Sequence, residues 1–184
     1  MPALAALGQV DDPAGARETL VGAGFLVART ADMASSLRTS HALTRAAIYQ
    51  TIPYPRRREL HLRAAGQAGT VMESLEHRVA AADHYDDALA AELEQAAQVA
   101  HGAGDFRQAG QMFRWASELG SDAAIRNSRW LDAVIDMILA RDIAWVRQQL
   151  PAVQSAPDPA RRAVVQGLMF GAGGLTYAQI ARDL

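Results

Sequence analysis

Apolar residues recur at helical spacing along most of the chain: Leu43, Ala47 and Ile48, then Ala109, Phe113 and Ala116, then Leu131, Val134, Ile135 and Ile138. Steps of three and four place each set on one face of an α-helix. Alanine, leucine, arginine, glutamate and glutamine fill the positions between them, and these residues have good helix propensity. Helix is therefore expected almost throughout. The exception lies near the start, where FLVART and SSLRTS read as two short strands around the turn TADMA.

Punctuation residues divide this pattern into elements. Asp12 and Pro13 form a cap with proline at the first helical position, opening a helix that Gly22 and Gly24 should end. HALTRAAIYQTI continues as a helix after the second strand until Pro53 and Pro55 interrupt it, and PRRRELHLRAAGQAG restarts. Helix, hairpin, helix is the order of a winged helix's second half, and it equally suits a small helical cap with a β-ribbon. From Ser74 onward the pattern is helical hairpins. The first breaks at HGAGD, and its second helix carries Ala109, Phe113 and Ala116 as small, large, small, which lets a neighbouring helix approach at the alanines while the ring fills the gap. SRWLDAVIDMILARDIAWVRQQLPAV predicts a second hairpin, with Trp145 and Leu150 on the returning helix, and QSAPDPA then ends it with two prolines.

The fold class expected is thus mostly α, with helical hairpins of tetratricopeptide-like type and a small N-terminal winged-helix-like module holding a short β-hairpin. The modules fall at 1–68, 69–157 and 158–184. A stack of about two hairpins is below the three or so that a free-standing solenoid requires.

Composition narrows the chemistry. There is no cysteine, so disulfides, thiol nucleophiles and the common structural zinc sites are excluded, and the cytoplasm is the expected compartment. The net charge of -2 argues against a globally basic nucleic-acid surface. Every one of the 18 basic residues is arginine. A standard phosphate-binding P-loop needs a lysine, so none can be present. VGAGF, HGAGD and GAGG are helix ends and turns, because none sits between a strand and a helix of a βαβ unit.

HALTRAAIY, with His41, Leu43, Arg45, Ala47 and Tyr49 at alternate positions, resembles a stretch of the large actinobacterial regulators of LuxR type. In those proteins an AAA-like ATPase of the STAND class is followed by a winged helix, a helical-repeat region and a C-terminal helix-turn-helix. PYPRRRELHLRAA is similar to the segment that follows in the same family, and the hairpin at residues 89–119 resembles a tetratricopeptide repeat, with Leu93 and Ala100 where that repeat usually has tryptophan and tyrosine. GLTYAQIARDL resembles the start of the scaffolding helix of the LuxR-type DNA-binding domain, with PARRAVVQGLMFG as the helix before it. Thr176 and Gln179 there form a capping-box pair, with Leu175 and Ile180 placed as its hydrophobic staple. By this resemblance an ATPase core is expected before residue 1 and a recognition helix after Leu184, outside residues 1–184. The expectation is a fragment of a regulator that relays between an ATPase and a DNA-binding domain and is itself non-catalytic. The alternative is a small helical-repeat scaffold that binds a protein partner.

Individual residues offer little chemistry beyond this. No catalytic residue, cofactor or metal is expected. His77 and His84 lie two turns apart on what reads as one helix, about 10 Å of rise and too far to share an ion. Asp132 and Asp136, flanked by Arg129 and Arg141, read as an exposed charged face. The resemblance gives Thr176 and Tyr177 as contacts to DNA phosphate. Arg56, Arg57 and Arg58, with Arg63, form the one dense basic cluster, and it suits DNA phosphate, acidic residues of the expected ATPase domain, or a solvated face. The partners expected are a protein or that ATPase domain, DNA only where the recognition helix is supplied, and no membrane; an inducer is not identified.

Overall fold

The computed structural model describes residues 8–31 and 34–173. The chain is mostly helical and divides into two compact units, Met1–Ala82 and Asp83–Leu184.

In the first unit, α1 (Pro13–Gly22) starts where Asp12 accepts a hydrogen bond from the Gly15 N–H at 3.0 Å. It stops because Gly24 takes φ +75°, a left-handed conformation that costs glycine little. The strands β1 (Leu26–Ala31) and β2 (Ala34–Thr39) follow as an antiparallel pair, with Leu26 opposite Thr39 and Ala31 opposite Ala34. The order of helix, hairpin and helix is as expected, and among the described residues no third strand joins the pair. Next come α2 (Ala42–Thr51), α3 (Tyr54–Gln67) and α4 (Val71–Ala81). Pro53 forces the residue before it out of the helical region, and Ile52 is extended at ψ 122°. Thr70 caps α4 by accepting from the Glu73 N–H, and the Glu73 carboxylate accepts from the Gly69 N–H.

The second unit contains α5 (Asp87–Gly102), α6 (Phe106–Leu119), α7 (Ala123–Leu139), α8 (Ile143–Ser155) and α9 (Pro159–Gly173). Asp86, Asp105, Asp122 and Asp142 each accept backbone N–H bonds at the start of a helix. The α5–α6 and α7–α8 hairpins share one turn design, repeated 37 residues apart from Asp105 to Asp142. In the first turn the Asp105 N–H donates to the Ala100 carbonyl at 2.9 Å, and in the second the Asp142 N–H donates to the Met137 carbonyl at 2.9 Å. Gly104 at φ +81° in the first turn is matched by Arg141 at φ +61° in the second.

Packing follows the small, large, small pattern. Ala109, Phe113 and Ala116 are buried, and Gly110 brings α6 so close to α7 that a β-carbon there would sit 3.2 Å from the Ala133 carbonyl oxygen. Leu131, Val134 and Ile138 face inward as expected, with Ile135 half-buried. Trp145 and Leu150 lie on the returning helix as expected and are partly buried against the core, while Val146 and Val153 are the buried residues of α8. Among the described residues no helix is long and apolar enough to cross a membrane.

Candidate interaction face

In the second unit, α5, α7 and α9 are joined by polar pairs rather than by apolar packing alone. Arg129 on α7 donates from Nε to Glu94 on α5 at 2.9 Å and from Nη1 to the Ala116 carbonyl at 3.4 Å. Two turns further along both helices, His101 Nδ1 and Asp136 Oδ1 are 2.6 Å apart. Both pairs join residues 35 positions apart, so α5 and α7 run side by side in a fixed register. Arg161 on α9 completes the series with a forked bond to Asp132 on α7, 2.8 Å from Nε and 3.3 Å from Nη2, and a bond of 2.9 Å to Asp158.

The Asp132 and Asp136 carboxylates therefore do not form the exposed charged face that their spacing implies. Asp136 is only 1 % exposed and Arg129 is buried as well, because each meets a hydrogen-bonding partner on a helix far away in sequence. Burial pushes the Asp136 carboxyl above its ordinary range, partly offset by the His101 imidazole, and Oδ2 is buried without a hydrogen-bond partner. Its neighbour His101 is about half exposed. A carboxylate holding one nitrogen of an imidazole is also the orienting half of a nucleophilic triad. Among the described residues, however, no hydroxyl is bonded to either ring nitrogen of His101, and no group of three or more His, Asp or Glu could hold a metal ion. Asp132 and Asp158 together hold Arg161 firmly protonated, and the Arg161 bonds keep Asp158 below the usual carboxylate value.

The arginine cluster in the first unit is engaged within its own helix and with neighbouring segments. Arg56 pairs with Glu59 at 2.6 Å and Arg63 with the same carboxylate at 2.5 Å, and the Arg56 bond lowers the Glu59 carboxyl. Arg57 lies over the Tyr49 ring, 5.0 Å from its centre. Arg58 is exposed. Three successive helical residues fan around the axis, so Arg56, Arg57 and Arg58 do not present one basic face. Thr176 and Tyr177 lie outside the described residues. His77 and His84 do not share a helix: α4 ends at Ala81, and His84 lies past it, bonded to neighbouring Asp83.

The sequence signal of these ties is a matched spacing of complementary charges on two helices. Glu94 and His101 are seven apart, and so are Arg129 and Asp136, which puts complementary charges at equal steps on two helices. No protein-family model, no curated protein and no solved structure matches the chain.

Proposed function

We propose that the chain is a relay segment of a LuxR-type transcriptional regulator, carrying a conformational signal between an ATPase module and a DNA-binding helix-turn-helix in the cytoplasm, without chemistry of its own. The observation that supports this best is the position of α7. It is tied to α5 through Glu94–Arg129 and to α9 through Asp132–Arg161, so a displacement of the repeat helices is felt at the helix that resembles the first of the DNA-binding domain. Packed helices linked by paired charges move as discrete units rather than deforming continuously, which is what a relay requires. In this reading the N-terminal helices and hairpin serve as the winged-helix module facing the ATPase. The alternative is a repeat scaffold for a protein partner, favoured by the repeated hairpin design.

One measurement on the relay separates these readings. With the chain joined to an ATPase module and a recognition helix, a reporter driven by the promoter of the chain's own gene should change output when Arg161→Gln breaks the α7–α9 tie in a protein that remains folded by circular dichroism. Unchanged output would defeat the relay and favour the scaffold. A calorimetric titration should also show no stoichiometric ATP binding; a one-to-one isotherm would sink the non-catalytic reading.

A further inference from the structure

Three helices of the first unit meet in a string of hydrogen bonds. Tyr49 on α2 is bonded through its hydroxyl to His61 Nε2 on α3 at 2.9 Å, and His61 Nδ1 faces His77 Nδ1 on α4 at 3.1 Å. The two imidazoles stand 5.2 Å apart between ring centres, and both are partly buried. Among the described residues no third metal-binding side chain completes a site with them. What the facing nitrogens can share is a proton.

Counting protons along the string shows what it tolerates. With both rings neutral, one Nδ1 donates and the other accepts, and the Tyr49 hydroxyl adapts as donor or acceptor. With one added proton, His61 donates from both nitrogens, to the Tyr49 oxygen and to the neutral His77 Nδ1. A second added proton leaves no acceptor. Both Nδ1 atoms then carry hydrogen at a separation of 3.1 Å, and two positive rings face each other.

We propose that the His61–His77 pair is an acid-sensitive latch that holds α3 on α4 and opens when both rings are protonated. The charged and titratable groups around it favour that outcome. From α3, Arg57 adds positive charge; from α4, Glu76 is the one carboxylate acting on His61 and is itself exposed; from α2, Tyr49 contributes a neutral phenol. Desolvation and then the His77 charge hold the His61 imidazole below its usual value. For a group held below its unfolded value, the contribution to stability is complete above the ordinary histidine range, near pH 6.5, and is lost as pH falls through and below it. The latch matters in this unit because little apolar interior backs it. Among the described residues preceding Asp83, Leu75 and Ala81 are the buried hydrophobics.

The test uses the whole chain. Amide-exchange protection of residues 54–81 should fall by about tenfold or more between pH 7.5 and pH 5, while residues 106–139 do not lose protection. A tenfold loss corresponds to one pH unit of linkage for one proton. His77→Gln removes the second charge, and in that variant the acid-dependent loss should shrink to less than about twofold. Protection that is unchanged on acidification, or an equal acid loss in the variant, would overturn the latch. If His77→Gln does not fold, imidazole nitrogen resonances of the unsubstituted chain decide instead: the pair should take up its two protons in steps at least about one pH unit apart, and two independent titrations near pH 6.5 would refute it.

Discussion

Every helix of the second unit places apolar side chains in its interior, from Leu89 and Leu93 on α5 to Val165 and Met169 on α9, whereas the described helices of the first unit bury only Leu75 and Ala81 among their hydrophobics. The same unit leaves Phe25, Leu43 and Ile48 exposed. All three tryptophans fall in the second unit, and spacing widens the difference. In the hairpins of the second unit, small residues on one helix admit large ones from the next, and α6 and α7 close to contact at Gly110. In the first, α2, α3 and α4 meet over a tyrosine and two histidines. Polar strings fix geometry but contribute little net stability, since each bond replaces one to water. One unit is held by an extended apolar interior, and the other is positioned by hydrogen bonds around a small one.

The comparison can be broken in order of expected effect. Leu75→Ala should abolish amide protection across α3 and α4, because a loss of about 2–5 kcal/mol falls on a unit with almost no other apolar interior. Leu93→Ala removes the same atoms from α5 and should leave α6 and α7 protected; equal behaviour of the two variants would erase the distinction. Phe113→Ala should lower the stability of the second unit by about 3–5 kcal/mol in a denaturant melt, and a loss below about 1 kcal/mol would show that the ring does not fill the gap between helices.

Asp136 offers a smaller and pH-dependent effect. Its folded carboxyl is raised, so its favourable contribution is present below the ordinary carboxylate range and is lost as pH rises through the raised value. The melting temperature of the second unit should therefore decline across that interval, and Asp136→Asn should flatten the decline. A parallel decline in the variant would assign it elsewhere. The smallest effect is expected at the two matching turns. Arg141→Gly should stabilise by up to about 1 kcal/mol, because φ +61° strains a residue with a β-carbon, and Gly104→Ala should cost a similar amount. No change at either position would mean the turns relax freely.

Helix boundaries were legible because they depend on neighbours in sequence. Asp12 followed by Pro13, the HGAGD break, and the prolines at 53, 55, 157 and 159 act within a turn of where they stand, and the structure places ends at each of them. The strand pair was equally local. What could not be read was which charged residues turn inward. Asp132 and Asp136 carry an i, i+4 spacing that fits a solvated face, and only Arg161 and His101, 29 and 35 residues away, make it an internal one. The same limit applies to Trp145 and Val146. Either stripe suits a helix in isolation, and the choice belongs to the surface it packs on.

The polar ties of the second unit also have a consequence in time. Glu94–Arg129, His101–Asp136 and Asp132–Arg161 all span between 29 and 35 residues, and the Asp87 carboxylate accepts from both the backbone and the hydroxyl of Ser121 only 34 residues on. These contacts enclose about one repeat of chain each, and the entropy of loop closure grows only slowly with the length enclosed. A ribosome adds about 5–20 residues each second, so one 37-residue repeat takes roughly 2–7 s to emerge. Helices and their hairpins form many orders of magnitude faster. Each hairpin of this unit can therefore be complete before the next has left the exit tunnel, and the growing chain always offers the newest helix a finished surface to fold against.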